Sequence, residues 1–413
     1  MLASKKVRHP HSVRIAAVSA DIVSVTLGVG SGPYQKTLIA SLLKAGMLRR
    51  VFKSGVSLEV QDPAPDGSLK TIKRFPINYW TTRWLWGIWR RIPEIARPNP
   101  PIMVSVVPAD WLYSHWIPRC DVYHGWMGLS VNCFRAAKRQ GAITLLENAG
   151  RHPRHWHQAG VEECKRFGIN PRERSTVLPA MLIRRITKEY ELCDRILVPS
   201  NLAYRSFAEF GLADKTIVVP TGVDSEFFTP APVSEPRDKF RVCFVGRVEL
   251  AKGAGYLLQA WKRLALPNAE LVLVGSVKPE MNSLMREYAD STVRTTGVVL
   301  PDALAKIYRE SDLFAFPSVN EGLAQVLLEA MASGLPIVAS DYSGGDDLIT
   351  DGKEGFIVPA RNLDRLVEAI LWCYQHRDET RAMGRAARAK IESHFTLDHY
   401  SQRQIAVYRA VAA

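Results

Sequence analysis

The segment SVNEGLAQVLLEAMASGLPIVASD, residues 318–341, constrains the fold more than any other part of the chain. The run LFAFPS, which leads into it, is short, apolar and closed by Pro317, as is typical of a strand buried in a parallel sheet. From Gly322 the apolar residues recur with the period of a helix, and PIVASD then reads as a second buried strand. A strand, a helix and a second strand in this order predict an α/β domain with a parallel sheet.

The same segment carries two carboxylates, Glu321 and Glu329, eight positions apart. Glu321 lies in the predicted loop between strand and helix, where Gly322 eases the turn, and Glu329 lies about two turns inside the helix. Ligands of open parallel sheets bind at the carboxyl ends of the strands, where such loops emerge. The pair therefore predicts a binding site, although alone it fits equally well a core helix with one capping and one surface glutamate.

A second segment, VCFVGRVELAKG at residues 242–253, predicts a phosphate site. It reads as a buried strand, a glycine turn at Gly246, then Arg247, and finally Lys252 at the start of a helix. Two cations and free backbone N–H groups at a helix N-terminus suit a phosphate or diphosphate, although either cation alone also fits a solvated surface position. Together with the glutamates, they predict a pocket for a nucleotide diphosphate, positive for the phosphates and rich in acceptors for sugar hydroxyls.

Three blocks, GRVELAKG, EGLAQVLLEAMASGLPIVASD and DGKEGFIVP, resemble the successive signatures of glycosyltransferase family 4 in order, separation and glutamate spacing. The resemblance is strong over residues 195–400 and weaker over residues 13–195. It implies the GT-B architecture, in which two doubly wound, Rossmann-like α/β domains face each other across a cleft and the last helix crosses back to the first domain. It also implies transfer of a sugar from a nucleotide diphosphate with retention of anomeric configuration.

The resemblance also implies roles for individual residues. Arg247 and Lys252 would stabilise the charge of the departing diphosphate in place of a metal ion, so neither a metal nor a cofactor is expected. Glu329 would accept hydrogen bonds from the ribose, and Glu321 from the transferred sugar. The expected catalytic residues are Arg247, Lys252 and Glu321. The expected donor-binding residues are Gly32, Gly246, Arg247, Lys252, Glu321, Gly322, Leu323, Ala324 and Glu329.

The chain departs from the family pattern at several donor-side positions. Ser31 replaces the first glycine of a pair that lets backbone N–H groups approach the donor phosphates, and only Gly32 is kept; a plain turn fits these residues equally well. Ala324 and Gln325 stand where a glycine and an aliphatic residue are common, and Asp347 stands where a glutamate is usual. We therefore expect altered contacts to the donor at these places.

Candidate residues for the acceptor or sugar side follow two strands of the N-terminal half. His124 ends the run DVYHGW and matches a family histidine, although a structural role suits a histidine at a strand end equally well. Glu147 and Asn148 stand where family members often have another histidine. Asn148 can hydrogen-bond a sugar hydroxyl but cannot carry a proton.

A basic cluster follows in the segment AGRHPRHWHQ, residues 149–158. No carboxylate pattern accompanies its three histidines, which disfavours a metal site. We expect instead an anionic acceptor site, or a loop that closes on the acceptor. The residues of this cluster are Arg151, His152, Arg154, His155 and His157.

Alternating strand and helix patterns divide the chain into four parts. These are an N-terminal domain over residues 1–222, a proline-rich linker over 223–239, a C-terminal domain over 240–395 and a returning helix over 396–413. The strands predicted in the N-terminal half are VRIAAVS, PIMVSVVP, DVYHGW, AITLLEN, RILVPS and TIVVPTG. Those in the C-terminal half are RVCFVG, AELVLVG, VRTTGVV, LFAFPS, PIVASD and GFIVP.

Positive charge is concentrated in the N-terminal half. Residues 1–220 hold 32 Lys and Arg against 16 Asp and Glu, whereas the remainder holds 22 against 25. This excess suits an anionic partner, either acidic lipid or a phosphorylated acceptor, rather than nucleic acid, although a merely soluble basic surface explains most of these charges. The segment NYWTTRWLWGIWRRIPEIARP, residues 78–98, interleaves tryptophan with arginine, which suits a membrane interface; an aromatic helix packed on the first sheet explains its apolar face equally well.

The cysteine pattern and the hydropathy predict the compartment. The six cysteines are scattered without a close pair, which favours reduced thiols in the cytosol. No apolar run is long enough to span a bilayer. We therefore expect a cytoplasmic protein that attaches peripherally to the inner face of the cell membrane.

The predicted function is a retaining, metal-independent hexosyltransferase. It would use a UDP or GDP sugar and a glycan or lipid-linked acceptor in bacterial envelope polysaccharide or glycolipid biosynthesis. Two alternatives remain open, a nucleotide-sugar epimerase of the same architecture and a non-catalytic nucleotide-sugar-binding scaffold. An epimerase needs no acceptor site, and a scaffold has no evident need for both cations and both glutamates.

Overall fold

The computed structural model describes residues 23–28, 33–54, 58–75, 102–170, 178, 180–232 and 238–413. Within them the chain forms two α/β domains, each built on its own mainly parallel sheet, which confirms the predicted fold class. Among these residues, no helix combines the length and the hydropathy that crossing a bilayer requires. The tryptophan-rich segment 78–98 lies outside the described residues.

The N-terminal sheet has eight strands in the order β4-β3-β2-β1-β5-β6-β7-β8. Successive residues of a strand, such as Leu145 and Leu146, face two different hydrophobic clusters, so the sheet is covered on both sides. Strands β1 to β8 are Val25–Leu27, Leu48–Ser54, Leu58–Pro63, Leu69–Phe75, Val122–Trp126, Ile143–Glu147, Arg195–Val198 and Thr216–Val218. Helices α1 to α6 are Pro33–Lys44, Ile102–Ser114, Val131–Arg139, Pro153–Arg166, Ala180–Leu192 and Asn201–Ala208.

The N-terminal half differs from the sequence prediction in three places. Residues 102–108 of the run PIMVSVVP, predicted as a strand, begin helix α2, because a short apolar run does not by itself distinguish a strand from a helix. The strand that precedes Ser31 and Gly32 is β1, whereas the predicted strand VRIAAVS lies outside the described residues. Strands β2 to β4 form an antiparallel edge that the sequence prediction omits, since the mostly exposed β4 lacks the apolar run of a buried strand.

The C-terminal sheet has six parallel strands in the order β11-β10-β9-β12-β13-β14. Each coincides with a predicted strand of this half. Strands β9 to β14 are Phe240–Val245, Ala269–Val274, Val293–Gly297, Leu313–Phe316, Ile337–Ser340 and Gly355–Val358. Helices α7 to α12 are Ala254–Leu264, Asn282–Tyr288, Pro301–Arg309, Gln325–Ala332, Leu363–Gln375 and Arg377–His394.

The chain crosses between the domains twice, and the two crossings pair with each other. Val223 forms a β-bridge with Thr396, flanked by hydrogen bonds from Val223 N to Phe395 O at 2.9 Å and from Leu397 N to Val223 O at 3.1 Å. The last helix, α13 (Leu397–Ala412), packs on α1 and contributes two buried tyrosines to the N-terminal core. It therefore completes the first domain, as the GT-B architecture implies.

Candidate active site

Lys252 and Glu321 meet at the carboxyl ends of two neighbouring strands, β9 and β12. Lys252 ends a 3-10 turn, Leu250–Lys252, and Glu321 lies in the loop after β12. Gly253 permits this approach: its φ is 73°, and a Cβ there would lie 1.9 Å from the carbonyl oxygen of Pro317. Lys252 Nζ donates to Glu321 Oε1, and both side chains remain partly accessible. The structure thus joins one predicted cation directly to one predicted carboxylate.

Arg247 stands at the start of the same loop. The preceding Gly246 has a φ of 141°, a conformation that favours glycine. Arg247 Nη2 lies 2.9 Å from Oε1 of the buried Glu249, while 48% of the Arg247 side chain is exposed. Burial raises the pKa of Glu249. The ion pair with Glu249 therefore positions Arg247, while about half of the Arg247 side chain stays accessible to a ligand.

The loop after Glu321 is fixed by main-chain hydrogen bonds to the loop after β13. Glu321 N donates to Tyr342 O at 3.0 Å, and Ala324 N donates to Ser343 O at 3.1 Å. The side chains of Leu323 and Ala324 are buried in the domain core. Of the predicted donor-binding residues, these two can therefore offer a ligand main-chain atoms only.

Glu329 lies one turn inside helix α10, not two, because the helix begins at Gln325 instead of Gly322. Tyr308 OH donates to Glu329 Oε2 at 3.1 Å, and burial raises the pKa of Glu329 to about 7. Ionisation therefore turns this side chain into a strong hydrogen-bond acceptor near neutral pH. Sequence reasoning missed Tyr308; its place on the buried side of α9 is the signal that could have found it.

The loop after Glu321 touches the N-terminal domain at Gly322. A Cβ at Gly322 would lie 2.4 Å from Ala149 O and 2.9 Å from Gly150 Cα. Ser200 Oγ also donates to Gly322 O at 2.6 Å. Glycine is therefore required here because the two domains approach each other to backbone distance.

Gln325 and Asp347, two residues that differ from the family pattern, also form hydrogen bonds between the domains. Gln325 Nε2 donates to Gly222 O in the crossing segment at 2.9 Å. Asp347 accepts two hydrogen bonds, both 2.6 Å long, from the backbone and side chain of Asn201 at the start of α6. Both positions therefore contact the other domain, a role that sequence reasoning did not foresee.

His124 and Glu147 come together in a buried polar cluster with the last helix. His124 Nε2 lies 3.0 Å from Glu147 Oε2, and His124 Nδ1 lies 2.7 Å from Tyr408 OH. Glu147 also accepts hydrogen bonds from Tyr400 OH at 3.3 Å and Gln404 Nε2 at 3.2 Å. The structure thus brings these two predicted acceptor-side residues together and uses both to hold α13.

Asn148, the third predicted acceptor-side residue, is fully buried. Its side chain donates to Gly150 O at 2.5 Å and accepts from Tyr190 OH at 2.8 Å. It therefore shapes the loop that meets Gly322. The predicted donor residue Gly32 lies outside the described residues.

The three histidines of the basic cluster have different hydrogen-bonding or ionic partners. His152 Nδ1 accepts from Arg154 N at 3.4 Å and caps helix α4, and burial lowers the pKa of His152 to about 4. His155 Nε2 lies 2.7 Å from Glu209, and the ring of His157 hydrogen-bonds a backbone carbonyl. In the part of the chain that the structure describes, no three His, Cys, Asp or Glu residues are grouped to hold a metal ion.

The chain is similar to known glycosyltransferases. Residues 239–376 match the family model described as glycosyl transferases group 1. Over 329 residues the chain is 31% identical to the GDP-mannose-dependent alpha-(1-6)-phosphatidylinositol monomannoside mannosyltransferase of Mycobacterium tuberculosis, covering 74% of this chain and 80% of that protein. Over 212 residues it is 32% identical to the phosphatidyl-myo-inositol mannosyltransferase of Mycolicibacterium smegmatis, covering 49% and 53%.

Solved structures share the fold at low sequence identity. Sucrose-phosphate synthase from Thermosynechococcus elongatus superposes with a TM-score of 0.67 at 19% identity, covering 94% of this chain and 99% of that one. HepE of Anabaena in complex with UDP-glucose gives a TM-score of 0.62 at 16% identity, covering 94% and 99%.

Proposed function

The chain belongs to glycosyltransferase family 4, and on that premise we propose how it transfers a sugar and to what. It is a hexosyltransferase that uses a nucleotide-sugar donor. The contact between Lys252 and Glu321, with Arg247 on the same loop and Glu329 on the following helix, carries the proposal. In this arrangement the two cations bind the donor diphosphate. Glu321 accepts hydrogen bonds from hydroxyls of the transferred sugar, and Glu329 accepts them from the ribose hydroxyls.

The chemistry follows from the charge that builds up during transfer. As the bond from the anomeric carbon to the phosphate oxygen breaks, its electron pair passes to the diphosphate, and Arg247 and Lys252 stabilise the developing negative charge. The acceptor hydroxyl forms the new bond on the face that the diphosphate leaves, and its proton passes to the leaving phosphate. Configuration is thereby retained, and no enzymic nucleophile is assigned.

The donor carries UDP or GDP, and the acceptor is a glycan or a lipid-linked glycan of the bacterial envelope. The relatives named above support this class: one is GDP-mannose-dependent, both mannosyltransferases act on phosphatidylinositol lipids by name, and HepE was solved with UDP-glucose. A thermal-shift screen of UDP and GDP sugars identifies the donor, because a bound ligand stabilises the fold by mass action. Failure of the whole panel to raise the melting temperature would count against the proposal.

Transfer proceeds without a metal ion in this proposal. Arg247 and Lys252 support it because they supply fixed positive charge at the loop where the diphosphate is expected. Turnover should therefore be the same with and without EDTA once the donor is known. Loss of transfer on chelation, restored by a divalent cation, would overturn this part.

The named relatives are transferases, so the epimerase and the scaffold have no support. Product assays with and without acceptor distinguish the three functions directly. Sugar appears on an acceptor in a transferase, an altered nucleotide sugar appears without acceptor in an epimerase, and a scaffold binds without turnover.

We also propose that the protein works in the cytoplasm and attaches peripherally to an anionic membrane. The basic N-terminal half and the tryptophan-rich segment 78–98 support this attachment. Liposome flotation with anionic vesicles tests it by comparing the native protein with a variant in which Trp84, Trp86 and Trp89 are replaced by alanine. Equal recovery of the two proteins would argue against membrane attachment.

A further inference from the structure

Arg151 is a buried cation with no ionic partner in the part of the chain that the structure describes. Only 8% of the residue is exposed, its Nε is buried without a hydrogen bond, and no carboxylate among the described residues pairs with it. Two other shielded arginines have a carboxylate partner: Arg185 contacts Asp110, and Arg361 contacts Glu163, both at 2.6 Å. A charge buried without such a partner calls for a physical explanation.

Arg151 lies where the two domains contact each other. It follows Ala149 and Gly150, the residues that meet Gly322 at backbone distance. Its guanidinium carbon lies 4.7 Å from the ring centroid of Tyr342, whose carbonyl oxygen accepts the hydrogen bond from Glu321 N. Arg151 therefore belongs to the N-terminal domain but lies against the loop that positions a predicted catalytic residue.

Contact with an aromatic ring offsets only part of the cost of burying this charge. A guanidinium stays ionised in proteins, and removing it from water is unfavourable unless a counter-charge replaces the lost hydration. Burial is the main cause that lowers the pKa of Arg151; the nearby Arg361 and Arg205 lower it further, whereas Tyr342 and Glu209 oppose the shift. Glu209 is the acid that acts on Arg151, but its carboxylate contacts His155 at 2.7 Å and is largely exposed. An oxyanion would complete this site.

We propose that Arg151 binds an oxyanion, phosphate or carboxylate, carried by one of the two substrates, and that this substrate is the acceptor. The inference rests on the proposed function and names the class of acceptor. Arg247 and Lys252, both from the C-terminal domain, already match the donor diphosphate. Arg151 comes from the opposite domain, so its guanidinium suits a phosphate group on the acceptor, which it can bind through two parallel N–H donors.

A binding experiment tests the site without requiring turnover. The native protein, Arg151→Gln and Lys165→Gln are saturated with UDP or GDP, which occupies the diphosphate site, and inorganic phosphate is then titrated in a thermal-shift assay. Lys165 is an exposed cation on the adjoining helix α4 and controls for loss of net charge. Phosphate should stabilise the native protein and Lys165→Gln but not Arg151→Gln. Equal stabilisation of all three proteins, or of none, would overturn the inference.

A transfer experiment identifies the substrate that carries the oxyanion. Acceptors are supplied in pairs, such as myo-inositol 1-phosphate with myo-inositol and glucose 6-phosphate with glucose, and donors in the pair UDP-glucose and UDP-glucuronate. Arg151→Gln should raise the KM of the phosphorylated acceptor by about 10- to 100-fold and leave that of the neutral acceptor within about twofold. Arg151→Lys should recover part of the loss, because lysine restores charge but not the paired donors.

The remaining outcomes separate the two proposals. A loss confined to UDP-glucuronate would place the oxyanion on the donor and overturn the acceptor assignment. Equal losses with charged and neutral substrates would reduce Arg151 to a structural contact with Tyr342 and overturn the oxyanion site altogether. A native protein that binds no nucleotide and transfers no sugar would instead refute the proposed function.

Discussion

Lys252 donates to the carboxylate of Glu321, so the cation proposed for the diphosphate and the acid proposed for the transferred sugar hold each other in place. The two residues are 69 positions apart, and the pair forms because their loops emerge from adjacent parallel strands. Each side chain restricts the rotamers of the other. The arrangement is therefore preorganised, which is the condition under which fixed charge stabilises a transition state most effectively.

Lys252→Ala should lower kcat by about 10²- to 10³-fold, the usual cost of removing a positioned group that stabilises developing charge. The fold should persist because the Lys252 side chain is partly exposed. Lys262→Ala, which removes an exposed lysine from helix α7 in the same domain, is the matched control and should keep normal turnover. Steady-state rates with melting curves test this; a Lys252→Ala enzyme with near-native kcat contradicts the assignment.

Donor affinity should depend on the ionisation of Glu329. Its pKa is raised to about 7, so the carboxylate that accepts ribose hydroxyls becomes populated as pH rises through that value. We expect the donor Kd to fall between about pH 6 and pH 8 in the native enzyme and to be high and nearly flat in Glu329→Gln. Calorimetric titration over this range is the measurement. Parallel pH profiles for the two proteins would dissociate Glu329 from donor binding.

The same group predicts a stability difference of defined sign. The folded-state pKa of Glu329 lies above its ordinary value of 4.5, so its contribution to stability is fully present below about pH 4.5 and is lost as pH rises through about 7. Glu329→Gln does not ionise at this position. The melting temperature of the variant minus that of the native protein should therefore increase from pH 5 to pH 8. Thermal unfolding at fixed ionic strength tests the sign, and a gap that shrinks with pH would contradict it.

Gly322→Ala should impair catalysis by keeping the domains apart. The added methyl group would collide with Ala149 O and Gly150 Cα, and because these are backbone atoms the domains themselves must move. We expect at least about a tenfold loss of kcat/KM and a larger radius of gyration in solution scattering. Gly150→Ala is the control at the same interface, since a Cβ there would find no atom closer than 4.0 Å. Equal activity of the two variants would remove the argument from backbone contact.

Tyr408→Phe separates a structural from a catalytic role for His124. The substitution deletes the hydroxyl that contacts His124 Nδ1 and leaves a buried ring nitrogen without its partner. The free energy of unfolding should fall by about 1–3 kcal/mol, while kcat changes little. Denaturant titration and steady-state kinetics are measured together on one preparation. A drop in kcat of more than about a hundredfold at unchanged stability would instead place His124 in the chemistry.

The sequence was most informative where the chain is most regular. Strands β9, β10, β12, β13 and β14 are short apolar runs with glycine, proline or a charged residue at one or both ends, because a parallel strand inside the sheet is covered on both faces. The pattern fails for PIMVSVVP, since an apolar run at the start of a helix can have the same composition. It also misses β4, whose side chains are mostly exposed and whose position at a sheet edge depends on the strands beside it.

The candidate site likewise contains residues that the sequence predicts and contacts that it does not. Arg247, Lys252 and both glutamates lie in contiguous blocks whose spacing is visible in the sequence. The contact of His124 with Tyr408 spans 284 positions, and that of Gln325 with Gly222 spans 103, so no local pattern encodes either. The solitary burial of Arg151 was equally hidden, because the sequence shows a run of basic residues but not which of them loses its hydration.

Helix α13 is synthesised after both sheets, although it completes the core of the first domain. The surface that Glu147, His124 and the first sheet present to Tyr400 and Tyr408 stays uncovered until helix α13 has left the ribosome. The second domain, whose strands and helices lie between residues 240 and 394, is complete earlier. A premature stop codon within helix α13 would therefore leave the N-terminal domain without part of its core.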